Sequence, residues 1–274
     1  MTRKLLRSCN WELFNELANE FQIRPGYAIQ ALQYLDTELS DAGGTARVAD
    51  IGAGTGIFTR QLADYLSNAG VIVGIEPSDA MRTIAAKQPS TMPIEYIAGS
   101  AERLPLPDAP YDAITAANAV HRFDRPIFFN SIPGILRPGG LIAFLDNLPH
   151  DNLSKLHDDY LTLQEKYAPA FRRGMNTDGG TGGYAFLDLV KELREHGGFG
   201  DIKTLKWNND HYVDETTFVT LSHASTINLR IVEDIGKAEF DAKIRKIYRD
   251  AANSGSKTEL TFITKLVVAR LPPG

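Results

Sequence analysis

The chain is poor in cysteine: Cys9 is alone among 274 residues. One thiol excludes an intrachain disulfide framework and any cysteine-rich zinc site. Positive charge is not in excess either, because 29 Lys and Arg stand against 34 Asp and Glu, a formal charge of −5. Binding to a phosphate backbone rests on clustered Lys and Arg, so this balance argues against a nucleic-acid partner. No run approaches the roughly twenty apolar residues of a membrane-spanning helix. The basic start at Arg3 and Lys4 is followed by Arg7, Asn10 and Glu12, which cut short the apolar stretch of a secretory leader. A cytoplasmic location without membrane attachment is therefore expected. His150, His157, His196 and His211 show no metal-ligand spacing. What is present is 43% hydrophobic residues and a length that buries a large core without staples, the composition of a globular enzyme.

Apolar residues recur at helical spacing over residues 11–40, broken at Arg24-Pro25-Gly26-Tyr27. From residue 46, short apolar runs alternate with amphipathic stretches. Strands are predicted at 47–51, 71–75, 94–97, 111–115 and 140–145, with helices from Phe58, over Ala80 to Lys87, and over Pro126 to Leu136. That alternation implies α/β architecture, a doubly wound, mostly parallel sheet covered on both faces. Further on, Leu153, Leu156, Tyr160, Leu163 and Tyr167 form one helical stripe. Leu187, Val190 and Leu193 open a second helix that Gly197-Gly198 stops, and residues 258–270 form the final strand. We expect one domain over residues 1–274. Residues 46–145 would form its core, residues 1–45 and 146–230 a helical cover that includes an inserted cap.

Val48-Ala49-Asp50-Ile51-Gly52-Ala53-Gly54-Thr55-Gly56-Ile57-Phe58 passes from strand to helix through three glycines. Such a loop turns sharply and lets a ligand approach the backbone. Glu76 ends the next strand, twenty residues after Gly56, where a carboxylate can accept both hydroxyls of a ribose. The alternative is a plain tight turn beside a solvated acid. Ile57 fills the place of the last glycine of G-x-G-x-x-G, which counts against a nicotinamide dehydrogenase, and no G-x-x-x-x-G-K-[ST] occurs. Asp50 would repel a pyrophosphate and attract the ammonium of an amino-acid moiety. An adenosine-like ribose with a cationic tail fits S-adenosylmethionine.

Val48 to Gly56 resembles the first motif of class I S-adenosylmethionine-dependent methyltransferases, a Rossmann-like fold. Glu76-Pro77-Ser78-Asp79-Ala80-Met81 resembles the second, in which the acid holds the ribose and the Met packs near adenine. Gly99-Ser100-Ala101-Glu102 to Asp108 resembles the region after strand three. Members usually carry Asp where Ser100 stands, so the resemblance passes the adenine contact to Ser100, the backbone of Ala101, or Glu102. Leu136-Arg137-Pro138-Gly139-Gly140-Leu141 matches the turn before strand five. Arg24 to Tyr27, Asn118-Ala119-Val120-His121 and Leu221 to Ser225 are similar to the trans-aconitate methyltransferase branch, where Trp usually stands at the place of Arg122. The resemblance implies cofactor-binding roles for Tyr27, Asp50, Gly52, Gly54, Gly56, Glu76, Pro77, Met81, Ser100, Ala101, Glu102 and Asn118.

Methyl transfer from a sulfonium is an in-line displacement, and the protein mainly positions the nucleophile and excludes water. A base is needed only when the acceptor must lose a proton. His121 is a candidate base or a residue that orients the acceptor, with pocket lining as the plainer alternative. Arg122, and with it Arg172 and Arg173, could pair with an acidic acceptor, or be solvated surface arginines. His223 is a further candidate for the acceptor side, and residues 174–183 are either a lid or a plain loop. No Asn-Pro-Pro-Tyr follows strand four. The expected function is methylation of a small-molecule acceptor, first at oxygen, then at carbon or nitrogen. The alternative is a non-methylating cyclisation or isomerisation on the same fold. Oligomeric state is left open.

Overall fold

The computed structural model describes residues 11–40, 44–106, 110–149, 153–168, 171, 187–252 and 257–274. Cys9, Asp108, His150, Arg172, Arg173 and the 174–183 segment lie outside them. Elements run in chain order: α1 (Trp11–Glu16), α2 (Ala18–Phe21), α3 (Ile29–Ser40), β1 (Ala46–Ile51), α4 (Ile57–Tyr65), β2 (Ala69–Ile75), α5 (Asp79–Lys87), β3 (Ile94–Ile97), β4 (Tyr111–Ala117), α6 (Arg125–Ser131) and β5 (Leu136–Pro149). They continue with α7 (Lys155–Tyr167), α8 (Leu189–His196), β6 (Gly200–Asn208), β7 (His211–Val213), α9 (Glu215–His223), α10 (Thr226–Ile235), α11 (Lys237–Ala251), β8 (Thr258–Leu260) and β9 (Phe262–Arg270). The chain divides into two compact units, residues 26–148, 188–207 and 264–274 in one, and 1–25, 149–187 and 208–263 in the other.

The first unit is built on a seven-stranded sheet of order β3-β2-β1-β4-β5-β9-β6. The pairs from β3 through β5 are parallel, which is the expected Rossmann-like, doubly wound arrangement. β9 runs against β5, since Leu271 N–H donates to Gly140 O at one end and Thr264 Oγ1 to Asn147 Oδ1 at the other. One face packs Leu32, Leu35 and Leu39 of α3 and Phe58 and Leu62 of α4 on Val48, Leu141, Leu145, Leu266 and Val268. The other face holds a run of rings, with Phe128 and Phe129 of α6 against Phe144, and Phe199 against Phe129. Local signals set the helix ends. Ser78 Oγ accepts from Met81 N–H to start α5, and Asp188 accepts from Lys191 N–H to start α8. Gly197 ends α8 at φ 73°, a conformation that suits glycine.

The second unit is helical, with a two-stranded β7-β8 ribbon. Leu156, Phe218, Ile231, Phe240, Ile244 and Leu260 form its core. Asn228 sits inside it, fully buried, and is satisfied by Tyr160, Gln164 and the carbonyl of Ser222.

Three expected boundaries move. The helix predicted to reach Leu136 ends at Ser131 and tightens into a 3-10 turn over Ile132–Gly134. Pro133 supplies no N–H to continue the α-helical ladder. β5 then starts at Leu136, so Arg137-Pro138-Gly139-Gly140 is a bulge within the strand: Tyr111 pairs with Leu136, and Ala113 already with Leu141. The single final strand over 258–270 is two strands in different sheets, parted at Thr261. The polar groups of Thr261 are taken by the start of α7: its carbonyl meets His157 Nδ1 at 2.8 Å and its hydroxyl accepts from Ser154 N–H at 3.3 Å. β6, the outermost strand, was not predicted; Ile202, Leu205 and Trp207 are too sparse among its polar residues to read as a strand.

Thr264 is fully buried and receives Ala28 N–H while donating to Asn147. Thr264→Val is expected to cost about 1–3 kcal/mol, because it leaves buried polar partners unsatisfied. The check is the urea midpoint of unfolding.

Candidate cofactor site

β1 delivers the chain into the glycine loop at the carboxyl end of the sheet. Gly52, Gly54 and Gly56 all have left-handed φ, 75°, 57° and 76°. The loop is tied to the end of β2: Gly52 and Ala53 N–H donate to Ile75 O at 2.7 and 3.0 Å. Two of the glycines are also required by crowding within the protein. A Cβ on Gly52 would lie 2.6 Å from Ala119 Cβ, and one on Gly56 would lie 2.3 Å from Tyr96 Oη. Gly54 differs. Among the described residues a Cβ there would meet only Met81 Sδ, at 3.7 Å, so its face is the one with room for a ligand to reach the backbone.

Glu76 closes the loop. Its Oε2 accepts from Gly54 N–H and its Oε1 from Ser78 N–H, both at 2.9 Å. Burial pushes its carboxyl above the usual range, against the pull of those two N–H groups and Arg82. Each oxygen keeps a lone pair, as a ribose diol requires. Pro77 is half-buried beside it, and Met81 is buried at the start of α5. Asp50 sits deeper than expected, 1% exposed under the loop. Its Oδ2 accepts from Thr59 at 2.7 Å and its Oδ1 from Thr115 at 3.0 Å. Burial raises it to about 6, so any effect on an ammonium acts through space.

The remaining loops join this centre. Ser100 and Arg103 exchange backbone hydrogen bonds in a tight turn, with Ala101 buried between them. Glu102 is exposed, and its Oε1 accepts from Asp124 N–H at 2.8 Å, so it fastens the β3 turn to the start of α6. Asn118 has φ 49° at the end of β4, and its Oδ1 accepts from Asn147 N–H. The next turn carries His121, buried, and Arg122, half-buried. Tyr27 is latched to α4 by two hydrogen bonds between its backbone and Gln61, and its ring stands edge-on to Phe58 at 5.1 Å. His223 belongs to the helical unit, where Nε2 meets Asp241 Oδ1 at 2.6 Å and Lys237 stands at 3.4 Å. Thr59, Thr115, Tyr96, Gln61 and Asn147 escaped the sequence reading; only Asn147, polar at the end of an apolar strand, carried a signal there.

Residues 49–144 match the family described as a methyltransferase domain. The seven-stranded sheet of this unit has the fold of class I S-adenosylmethionine-dependent methyltransferases. A putative methyltransferase from Dictyostelium discoideum is 32% identical over 128 residues, covering 46% of each chain. The ubiquinone/menaquinone biosynthesis C-methyltransferase UbiE of Ectopseudomonas mendocina is 28% identical over 163 residues, covering 54% of this chain and 62% of that protein. The chain thus spans less than two thirds of the length of either relative. An S-adenosylmethionine-dependent methyltransferase from Thiobacillus denitrificans, solved with S-adenosylhomocysteine, superposes with a TM-score of 0.51 at 15% identity, over 94% of this chain and 98% of that one. Among the described residues of the chain, no helix is long and apolar enough to cross a membrane, and no group of three or more His, Cys, Asp or Glu could hold a metal ion.

Asp50 sets a pH dependence for the stability of the sheet unit. Its folded value of about 6 lies above its ordinary 3.8, so the folded state binds the proton more tightly. Its contribution to stability is full below about pH 4 and declines as pH rises through about 6. The unfolding free energy of the native chain minus that of Asp50→Asn is expected to fall over this window, measured by urea unfolding at each pH.

Proposed function

We propose that this chain transfers the methyl group of S-adenosylmethionine to a small-molecule acceptor, most readily at oxygen. The observation that carries this reading is the Gly54–Glu76 clamp: an open glycine face beside a buried carboxylate whose oxygens each retain a lone pair. The cofactor supplies an activated methyl on a cationic sulfur. The chain's residues do the rest. Glu76 accepts the ribose hydroxyls, Gly54 lets the backbone approach, and Met81 and Pro77 border the adenine side together with Ser100, Ala101 and Glu102. Asp50 biases the field toward the cationic end, and Tyr27 and Asn118 border that end. His121 orients the acceptor or takes its proton, while Arg122 is a candidate acceptor contact. The acidic charge balance favours a small metabolite over a nucleic acid.

Carbon methylation is the second reading, favoured by the name of the UbiE relative. A non-methylating reaction on the same cofactor-binding fold is the third, a role given in the name of the [4+2]-cyclase SpnF, which shares the fold at 21% identity and a TM-score of 0.51. Formation of S-adenosylhomocysteine in an acceptor-dependent manner supports transfer; acceptor conversion with S-adenosylmethionine left intact sinks it.

Glu76→Ala is expected to weaken S-adenosylhomocysteine binding by about 10- to 100-fold, the value of a charge-assisted hydrogen bond. Calorimetric titration checks this, and unchanged affinity removes the ribose role.

A further inference from the structure

Asp146 stands out in the sheet unit. It is 6% exposed near the carboxyl end of β5, and its Oδ1 has no hydrogen-bond partner among the described residues. An isolated buried carboxylate is costly unless something pairs with it. The ladder fixes its place. Ala117 pairs with Leu145, so Asn118 stands beside Asp146, and Asn118 brackets it by donating its N–H to Leu145 O at 2.7 Å and accepting from Asn147 N–H at 3.0 Å. Alternation along β5 puts Asn147 on the α3 side, where Nδ2 donates to Gly26 O, and Asp146 on the opposite face with Phe144.

The sheet order then gives this position a meaning. The cofactor candidates occupy the ends of β3, β2, β1 and β4 in that spatial order, from Ser100 to Asn118. Asp146 continues the row by one strand, past the last of them, on the side of the sheet where the carboxyl ends of the strands bind ligands in doubly wound folds. Among the described residues, Lys265 of β9 acts on Asp146 electrostatically, β4 offers the uncharged Asn118, and His121 and Arg122 stand on the turn that follows β4. Burial holds the Asp146 carboxyl up at about 7, against the pull of Lys265. A group so placed exchanges its proton near neutrality.

We propose that Asp146 is the acceptor-side base, that the acceptor is an alcohol or phenol, and that carboxylates are excluded as acceptors by its charge. This rests on the methyl-transfer reading above. In the step, the acceptor O–H bond breaks and its proton passes to the Asp146 carboxylate. The oxygen forms a bond to the methyl carbon, the carbon–sulfur bond breaks, and its electron pair stays on sulfur. The products are a methyl ether, neutral S-adenosylhomocysteine and protonated Asp146, which returns its proton to water.

The test incubates the full chain with methyl-labelled S-adenosylmethionine and a deproteinised small-molecule extract. The expected labelled product survives mild alkali and releases its label to hydriodic acid, as an ether does. Asp146→Asn is expected to lower the initial rate about 100-fold or more and to lose the ascending limb of the pH–rate profile, with S-adenosylhomocysteine affinity unchanged. Lys265→Met keeps the base but removes the cation, so the same limb is expected to move to higher pH. Label released as methanol by alkali, label retained through both treatments, or a limb that survives in Asp146→Asn and vanishes in His121→Ala would each overturn the proposal. If Asp146→Asn does not fold, an unshifted limb in Lys265→Met overturns it. S-adenosylhomocysteine binding without any labelled product overturns the transfer reading itself, and the proposal with it.

Discussion

The site depends on one constraint, the left-handed backbone at Gly52, Gly54 and Gly56, because it aims the N–H of Gly54 at Glu76. Everything around it serves to hold that shape. Ile75 O receives two N–H groups from the loop, Asp50 anchors Thr59 and Thr115 beneath it, and Tyr96 fills the space below Gly56. A buried acid such as Asp50 is costly in isolation, and the two hydroxyls offset that cost while joining β1, β4 and α4 at one point. The loop is thus preorganised, with most of its ordering entropy already spent in folding.

The loops that border the crevice are knitted by side chains where the strand ladders stop. Glu102 reaches the start of α6, Asn118 reaches β5, and Asn147 reaches both Gly26 and Thr264. Rigid elements bearing short, mutually bonded turns place functional groups more accurately than long loops do. Among the carboxylates that burial raises, Asp50 and Asp146 lie at adjacent regions of the same sheet but differ in company. Asp50 is satisfied twice by hydroxyls, whereas Asp146 Oδ1 faces none among the described residues. That contrast separates a carboxylate that stabilises the scaffold from one left available for chemistry.

Much of this was legible in the residues. The three glycines, the spacing to Glu76 and the alternation of strands and helices depend on local chemistry, and the sheet from β3 to β5 follows them closely. What was not legible depended on partners distant in the chain. Leu260-Thr261-Phe262-Ile263 reads as continuous strand; the break comes from His157, 104 residues away. Thr59 and Thr115 are unremarkable until folding sets them around Asp50. Asp146 ends an apolar run and looks like an ordinary strand terminus, since only the neighbouring strands reveal that its oxygen lacks a donor. His223 was drawn toward the acceptor by resemblance, while its observed partner is Asp241.

The bond from Ala28 N–H to Thr264 Oγ1 spans 236 positions, and it has a bearing on how the chain is made. The segment that opens α3 leaves the ribosome well before β9, which carries the hydroxyl that secures it. At about 5–20 residues per second, roughly 10 to 50 s of synthesis separate the two. The glycine loop, β1 and β2 can assemble from neighbours in sequence during that interval. α3 has its apolar stripe ready but lacks its latch until β9 emerges. Completion of the core therefore waits for β9, and α3 is the part of this unit most in need of protection in the interval.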